Sequence, residues 1–142
     1  MFSSSHLHPM LVHFPIALIA IGFLAELAFL FFKKEICLTK TGYYLLIVGT
    51  LAACATWLSG GLFTSEMSGD SGRIRDIHEL FATITVGLSL ATAALRTFML
   101  LWKNENPSLK VLAFVLYALA ALFVSITGFY GGSLVYNYMM PL

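Results

Sequence analysis

The sequence predicts an all-α integral membrane protein: an up-down-up-down four-helix bundle with both termini on the outer side. Composition, the length of the apolar runs and the placement of basic residues carry that expectation. Of 142 residues, 59% are apolar and 11% charged, against about a quarter charged in soluble domains. Four apolar runs, at 10–32, 43–63, 77–101 and 109–131, each supply the roughly 20 helical residues that cross a hydrocarbon core of about 30 Å. The connections between them are short, so consecutive helices are expected to be antiparallel and residues 1–142 to form a single transmembrane domain.

Basic residues give the orientation. Lys33, Lys34 and Lys40 lie in the first connection, and Arg96, Lys103 and Lys110 flank the third, against Arg73 and Arg75 in the second. The positive-inside rule puts the first and third connections inside a bacterial inner membrane and both termini outside, periplasmic or extracellular. Tyr43, Tyr44 and Trp102 then suit the inner aromatic belt, and Phe63, Tyr130, Tyr136 and Tyr138 the outer one. The net charge of +1 and scattered basic residues leave no surface for nucleic acid. Cys37 and Cys54 read as free thiols, because one sits in a basic loop and the other within an apolar run. The stretch before the first run has no Lys or Arg, so it lacks the charged start of a secretory signal and the run is expected to be retained. No internal repeat is evident.

The first helix opens on His6-Leu7-His8-Pro9-Met10-Leu11-Val12-His13-Phe14-Pro15, which holds three of the four histidines. Pro9 suits a first turn, where its missing N–H is harmless. Pro15 lies deeper and removes the bond to the Leu11 carbonyl, so a kink with a freed backbone acceptor is expected beside His13. On an ideal helix His8 and His13 point about 140° apart, which disfavours one ligand for both. His13 is the more deeply embedded.

The second helix ends in Trp57-Leu58-Ser59-Gly60-Gly61-Leu62, and the fourth in Gly128-Phe129-Tyr130-Gly131-Gly132-Ser133. Paired glycines there either end a helix or admit a ligand. The third helix opens on Asp76-Ile77-His78-Glu79, read as a capping box with Asp76 as cap and Glu79 reaching back. That places His78 in a first turn, where the helix dipole favours the neutral, metal-ligating imidazole. Gly49 with Ala53, Gly87 with Ala91, and Gly128 with Gly132 fall at the spacing of close helix contacts, either inside the bundle or toward a homo-oligomer or membrane-complex partner.

Helices 1 and 3 enter from the same side, so His13 and His78 are expected to face each other across a diagonal of roughly 11 to 14 Å. That gap suits haem b between two axial imidazoles, for electron transfer or redox sensing, with Glu79 or the carbonyl freed by Pro15 orienting a ligand ring. Two alternatives stand beside it. One is a copper or zinc site drawing on His6, His8, His13 and His78. The other is a structural or assembly subunit with no cofactor. Glu26 and Arg96 both fall about 26 Å below the outer edge, where they can pair near the inner face, with snorkelling of Arg96 to the headgroups or a proton path or cofactor carboxylate clamp as the alternatives. Hydrolase, nucleotide and thiol-redox motifs are absent, so a redox carrier is favoured over an enzyme.

At His8-Pro9-Met10-Leu11-Val12-His13-Phe14-Pro15-Ile16-Ala17-Leu18, at His78-Glu79 and at Gly132-Ser133-Leu134-Val135-Tyr136, the chain resembles an uncharacterised bacterial membrane family, domain of unknown function 2231. The resemblance implies a four-helix inner-membrane protein. Some relatives occur beside haem-protein domains, but the resemblance assigns no reaction and no catalytic residue.

Overall fold

The computed structural model describes residues 7–63 and 67–138, and these are helical with short connections. The elements are α1 (Leu7–Leu11), α2 (His13–Phe31), α3 (Ile36–Phe63), α4 (Gly69–Leu101) and α5 (Pro107–Asn137). Since α1 runs into α2, four spans result: His8–Phe31, Ile36–Leu62, Gly69–Leu101 and Pro107–Asn137. The expected His6 lies outside the described residues.

The helices exceed the apolar runs because hydropathy marks only the part of a helix that sits in hydrocarbon. Polar turns extend α3 back to Ile36 and α4 back to Gly69. The capping box is therefore corrected: Asp76 lies well inside α4, and His78 sits in its third turn rather than its first. At α5 the start is marked by chemistry, with Asn106 Oδ1 accepting from the Ser108 amide at 2.9 Å and Pro107 in the first turn.

The expected irregularity in the first span is present at Val12, between α1 and α2. Proline at position 15 cannot donate to Leu11, and that carbonyl instead accepts a hydrogen bond from the Thr56 hydroxyl of α3 at 3.3 Å. A backbone acceptor in lipid needs such a partner, so the kink and Thr56 belong together.

Packing is most extensive between α2 and α3 and between α4 and α5, with lesser contacts of α2 on α5 and α3 on α4. The core comprises Ile19, Leu46, Ala53, Ala93, Tyr117, Ala120, Ala121 and Val124. Large apolar side chains such as Leu51, Leu62 and Phe129 point outward, as lipid contact requires. His8, near the start of the first span, touches the last turns of α3, whereas Glu26, near the end of that span, lies against Gly42 in the first turns of α3.

The two helical hairpins repeat one another in burial. Pro15, Ile19 and Gly22 are buried on α2, and Thr85, Ser89 and Thr92, each 70 residues later, are buried on α4. Gly42, Leu46, Gly49, Thr50 and Ala53 are buried on α3, and Ala113, Tyr117, Ala120, Ala121 and Val124, each 71 residues later, are buried on α5. The residue types differ at nearly every pair, which hides this correspondence from the sequence.

Candidate functional site

At the end of the bundle that holds His8, the four spans surround a cavity of about 570 Å³. Its walls are mainly apolar, with Pro15, Ile16, Val86 and Val124 among them, and its size is that of a small-molecule or cofactor pocket. Two imidazoles meet there. The His8 and His78 ring centroids are 6.4 Å apart, with the ring planes at 88°.

Each ring is held by the helix that follows it in its own hairpin. His8 Nδ1 lies 2.9 Å from Ser59 Oγ, and that hydroxyl gives its one proton to the Thr56 carbonyl at 2.7 Å. Toward His8 the serine oxygen can therefore only accept, so His8 carries its proton on Nδ1. His78 Nδ1 lies 3.0 Å from the Thr127 carbonyl, which can only accept as well. In its neutral form each imidazole is therefore the Nδ1–H tautomer, with a lone pair on Nε2.

Glycine makes the approach possible on both sides. A Cβ at Gly60 would stand 3.0 Å from His8 Cε1, and one at Gly131 would stand 3.0 Å from His78 Cε1. These contacts are tighter than most side chains tolerate, so any larger residue would push its ring away. The pairs obey the burial repeat, since His78 follows His8 by 70 residues and Gly131 follows Gly60 by 71.

The expected partnership of His13 with His78 is replaced by that of His8 with His78. The His8 and His13 side chains point to different sides of the same span, and it is His8 that faces α3 and is buried, while His13 is exposed at the cavity rim. Glu79 also lines the cavity, but it touches neither ring through a hydrogen bond among the described residues. The second expected orienting group, the carbonyl freed by Pro15, is taken by Thr56 rather than by a histidine. Ser59 and Thr127 fill the orienting role instead. The shared glycine spacing at the ends of α3 and α5 marks the turns that receive the two rings, but Ser59 and Thr127 stand at different distances from their glycines and no sequence signal marks them.

At the opposite end, Glu26 and Arg96 form an ion pair with largely buried side chains. They are 70 residues apart and each lies 18 residues beyond its hairpin's cavity histidine, about 27 Å along the helix. The Arg96 guanidinium carbon stands 6.0 Å from the centre of the Tyr43 ring, and Tyr43 hydrogen-bonds Thr97 at 3.0 Å. Tyr117 donates to the Gly42 carbonyl at 3.1 Å, closing a polar layer around the pair. The two halves thus contribute one member each to a histidine pair at one end and to an ion pair at the other.

A family model for a predicted membrane protein (DUF2231) matches residues 4–141. The chain belongs to the DUF2231 family. That match spans both hairpins, so the cavity histidines and the Glu26–Arg96 pair lie within the DUF2231 region. No curated protein and no solved structure matches the chain.

Two imidazoles on one cavity are residue types that can hold a metal between them. With metal–nitrogen bonds of about 2 Å and a ring nitrogen about 1.2 Å from its centroid, such imidazoles have centroids roughly 6 to 6.5 Å apart. The observed 6.4 Å falls in that range. No group of three or more His, Cys, Asp or Glu gathers as a metal site among the described residues. The two imidazoles alone are fewer than the four ligands zinc usually takes, whereas a porphyrin brings four nitrogens of its own.

Proposed function

We propose that this DUF2231 protein is a membrane b-type haem protein for electron transfer or redox sensing, with His8 and His78 as the axial ligands. The observation that carries this reading is the pair of imidazoles meeting in one cavity of cofactor size, each with its Nδ1 on a hydrogen-bond acceptor. Bound haem supplies one-electron exchange at the iron. The protein supplies the rest. Ser59 and Thr127 hold the rings and make their Nε2 atoms better donors, since a hydrogen bond on the distal ring nitrogen raises ligand basicity. Gly60 and Gly131 give the rings room. The apolar wall limits water, which together with the neutral histidines sets the potential.

By the positive-inside rule, the Lys-rich connection at 32–35 and the connection at 102–106 face the cytoplasm. The cavity end then faces the outer side of a bacterial inner membrane, where a redox partner protein would exchange electrons with it.

Haem titration of protein purified in detergent tests the reading, with elemental analysis of the same sample. Saturation at one haem per chain with a six-coordinate low-spin spectrum is the expected result. Copper or zinc at stoichiometric level with no porphyrin uptake would select the metal-binding alternative. No haem and no metal, with normal membrane assembly of a variant lacking all four histidines, would select the structural subunit.

A further inference from the structure

We propose that Arg75 is the counter-ion for an anionic arm of the cavity's ligand, a carboxylate in the case of haem; this rests on the haem reading above. Arg75 is half-buried and lines the cavity. It precedes His78 by three residues on α4, so the two share a helix face and the guanidinium lies one turn nearer the helix start than the imidazole. The ion pairs among the described residues are Arg96 with Glu26 and Lys110 with Glu105, which leaves Arg75 without one. Glu79 stands four residues on, within pairing distance on an ideal helix, and also lines the cavity, yet forms no ion pair with Arg75. Arg73, two residues before Arg75, is exposed and does not line the cavity.

A half-buried guanidinium at the rim of an apolar pocket is placed to meet an anionic group that reaches out of that pocket. Arg is the side chain whose planar fork matches a carboxylate or a phosphate through two parallel hydrogen bonds. The ligand class that satisfies both the wall and the rim is a large apolar body bearing a carboxylate at one end. Arg75 then fixes which way the body lies in the cavity, while His8 and His78 fix its centre. A phospholipid headgroup offers the same fork a phosphate, and the test separates the two sources.

The experiment compares haem with its dimethyl ester, which keeps the porphyrin and lacks both carboxylates. Dissociation constants are measured by absorption titration in phospholipid-free detergent for wild type, Arg75→Gln and Arg75→Lys. Wild type is expected to hold haem on the order of tenfold more tightly than the ester, the size of one hydrogen bond to a charged group. That ratio should collapse toward one in Arg75→Gln and persist in part in Arg75→Lys. A ratio that survives unchanged in Arg75→Gln, or a wild type indifferent to esterification, overturns the assignment and leaves Arg75 to lipid phosphate. Band positions report the axial pair separately. Six-coordinate spectra without carboxylate discrimination defeat this inference alone, whereas no six-coordinate spectrum with either porphyrin defeats the haem reading and this inference with it.

Discussion

Replacing Gly131 by alanine should uncouple stability from ligand binding. The new Cβ would sit 3.0 Å from His78 Cε1 and 3.3 Å from its Nδ1, so the ring must retreat by a few tenths of an ångström. That movement weakens the 3.0 Å bond from Nδ1 to the Thr127 carbonyl, a loss of about 0.5 to 1.5 kcal/mol. Alanine in place of a mid-helix glycine returns about 0.8 to 1 kcal/mol of helix propensity. The two effects nearly cancel, so thermal unfolding in detergent should move little. Haem affinity should not be spared, because a ligand ring displaced by a few tenths of an ångström misses its metal geometry; a loss on the order of tenfold is expected by absorption titration. Gly60→Ala should do the same through His8, where the contact is also 3.0 Å. Gly61 and Gly132 provide controls, since a Cβ at either meets nothing within 4 Å. Equal haem affinity in Gly131→Ala and Gly132→Ala would show that the His78 ring does not hold the ligand through this contact.

The opposite end gives further predictions. Gly22→Ala places a Cβ against the Tyr117 hydroxyl and should cost about 1 to 3 kcal/mol through overpacking; combining it with Tyr117→Phe, which removes that hydroxyl, should recover part of the loss in thermal unfolding. Glu26→Ala strands the Arg96 guanidinium and should cost about 3 to 5 kcal/mol, whereas the double replacement Glu26→Leu with Arg96→Met should restore most of it. Thr56→Val removes the hydroxyl that serves the Leu11 carbonyl and should cost about 1 to 3 kcal/mol, the penalty of a buried acceptor left unpaired.

The spans, the irregularity caused by Pro15 and the Glu26–Arg96 pair were legible in the sequence, because each follows from a local rule: run length, the missing proline N–H, and equal depth of opposite charges. The identity of the first cavity histidine was not. Depth along the chain favours His13, but the helix face decides burial, and it is His8 that turns inward over Gly60 while His13 is exposed. The start of α4 was misplaced for a related reason: Arg73, Arg75 and Asp76 lower the hydropathy of turns that are nonetheless helical. The repeat stayed hidden because burial recurs while chemistry does not, as where buried Ile19 corresponds to Ser89 and Leu46 to Tyr117. The shared 18-residue interval from His8 to Glu26 and from His78 to Arg96, with the Gly60-Gly61 and Gly131-Gly132 pairs 71 residues apart, was its trace in the letters. It would have pointed to His8.

His8 and His78, one from each hairpin, are proposed to share a single ligand. A reduced-minus-oxidised absorption spectrum of the purified wild-type protein beside His8→Ala, His78→Ala and His13→Ala tests it most directly. The expected result is the sharp α-band of six-coordinate low-spin haem b in wild type and in His13→Ala, and its loss in both His8→Ala and His78→Ala. A band that survives in His8→Ala and disappears in His13→Ala, or no haem signal in any of the four proteins, would contradict the account.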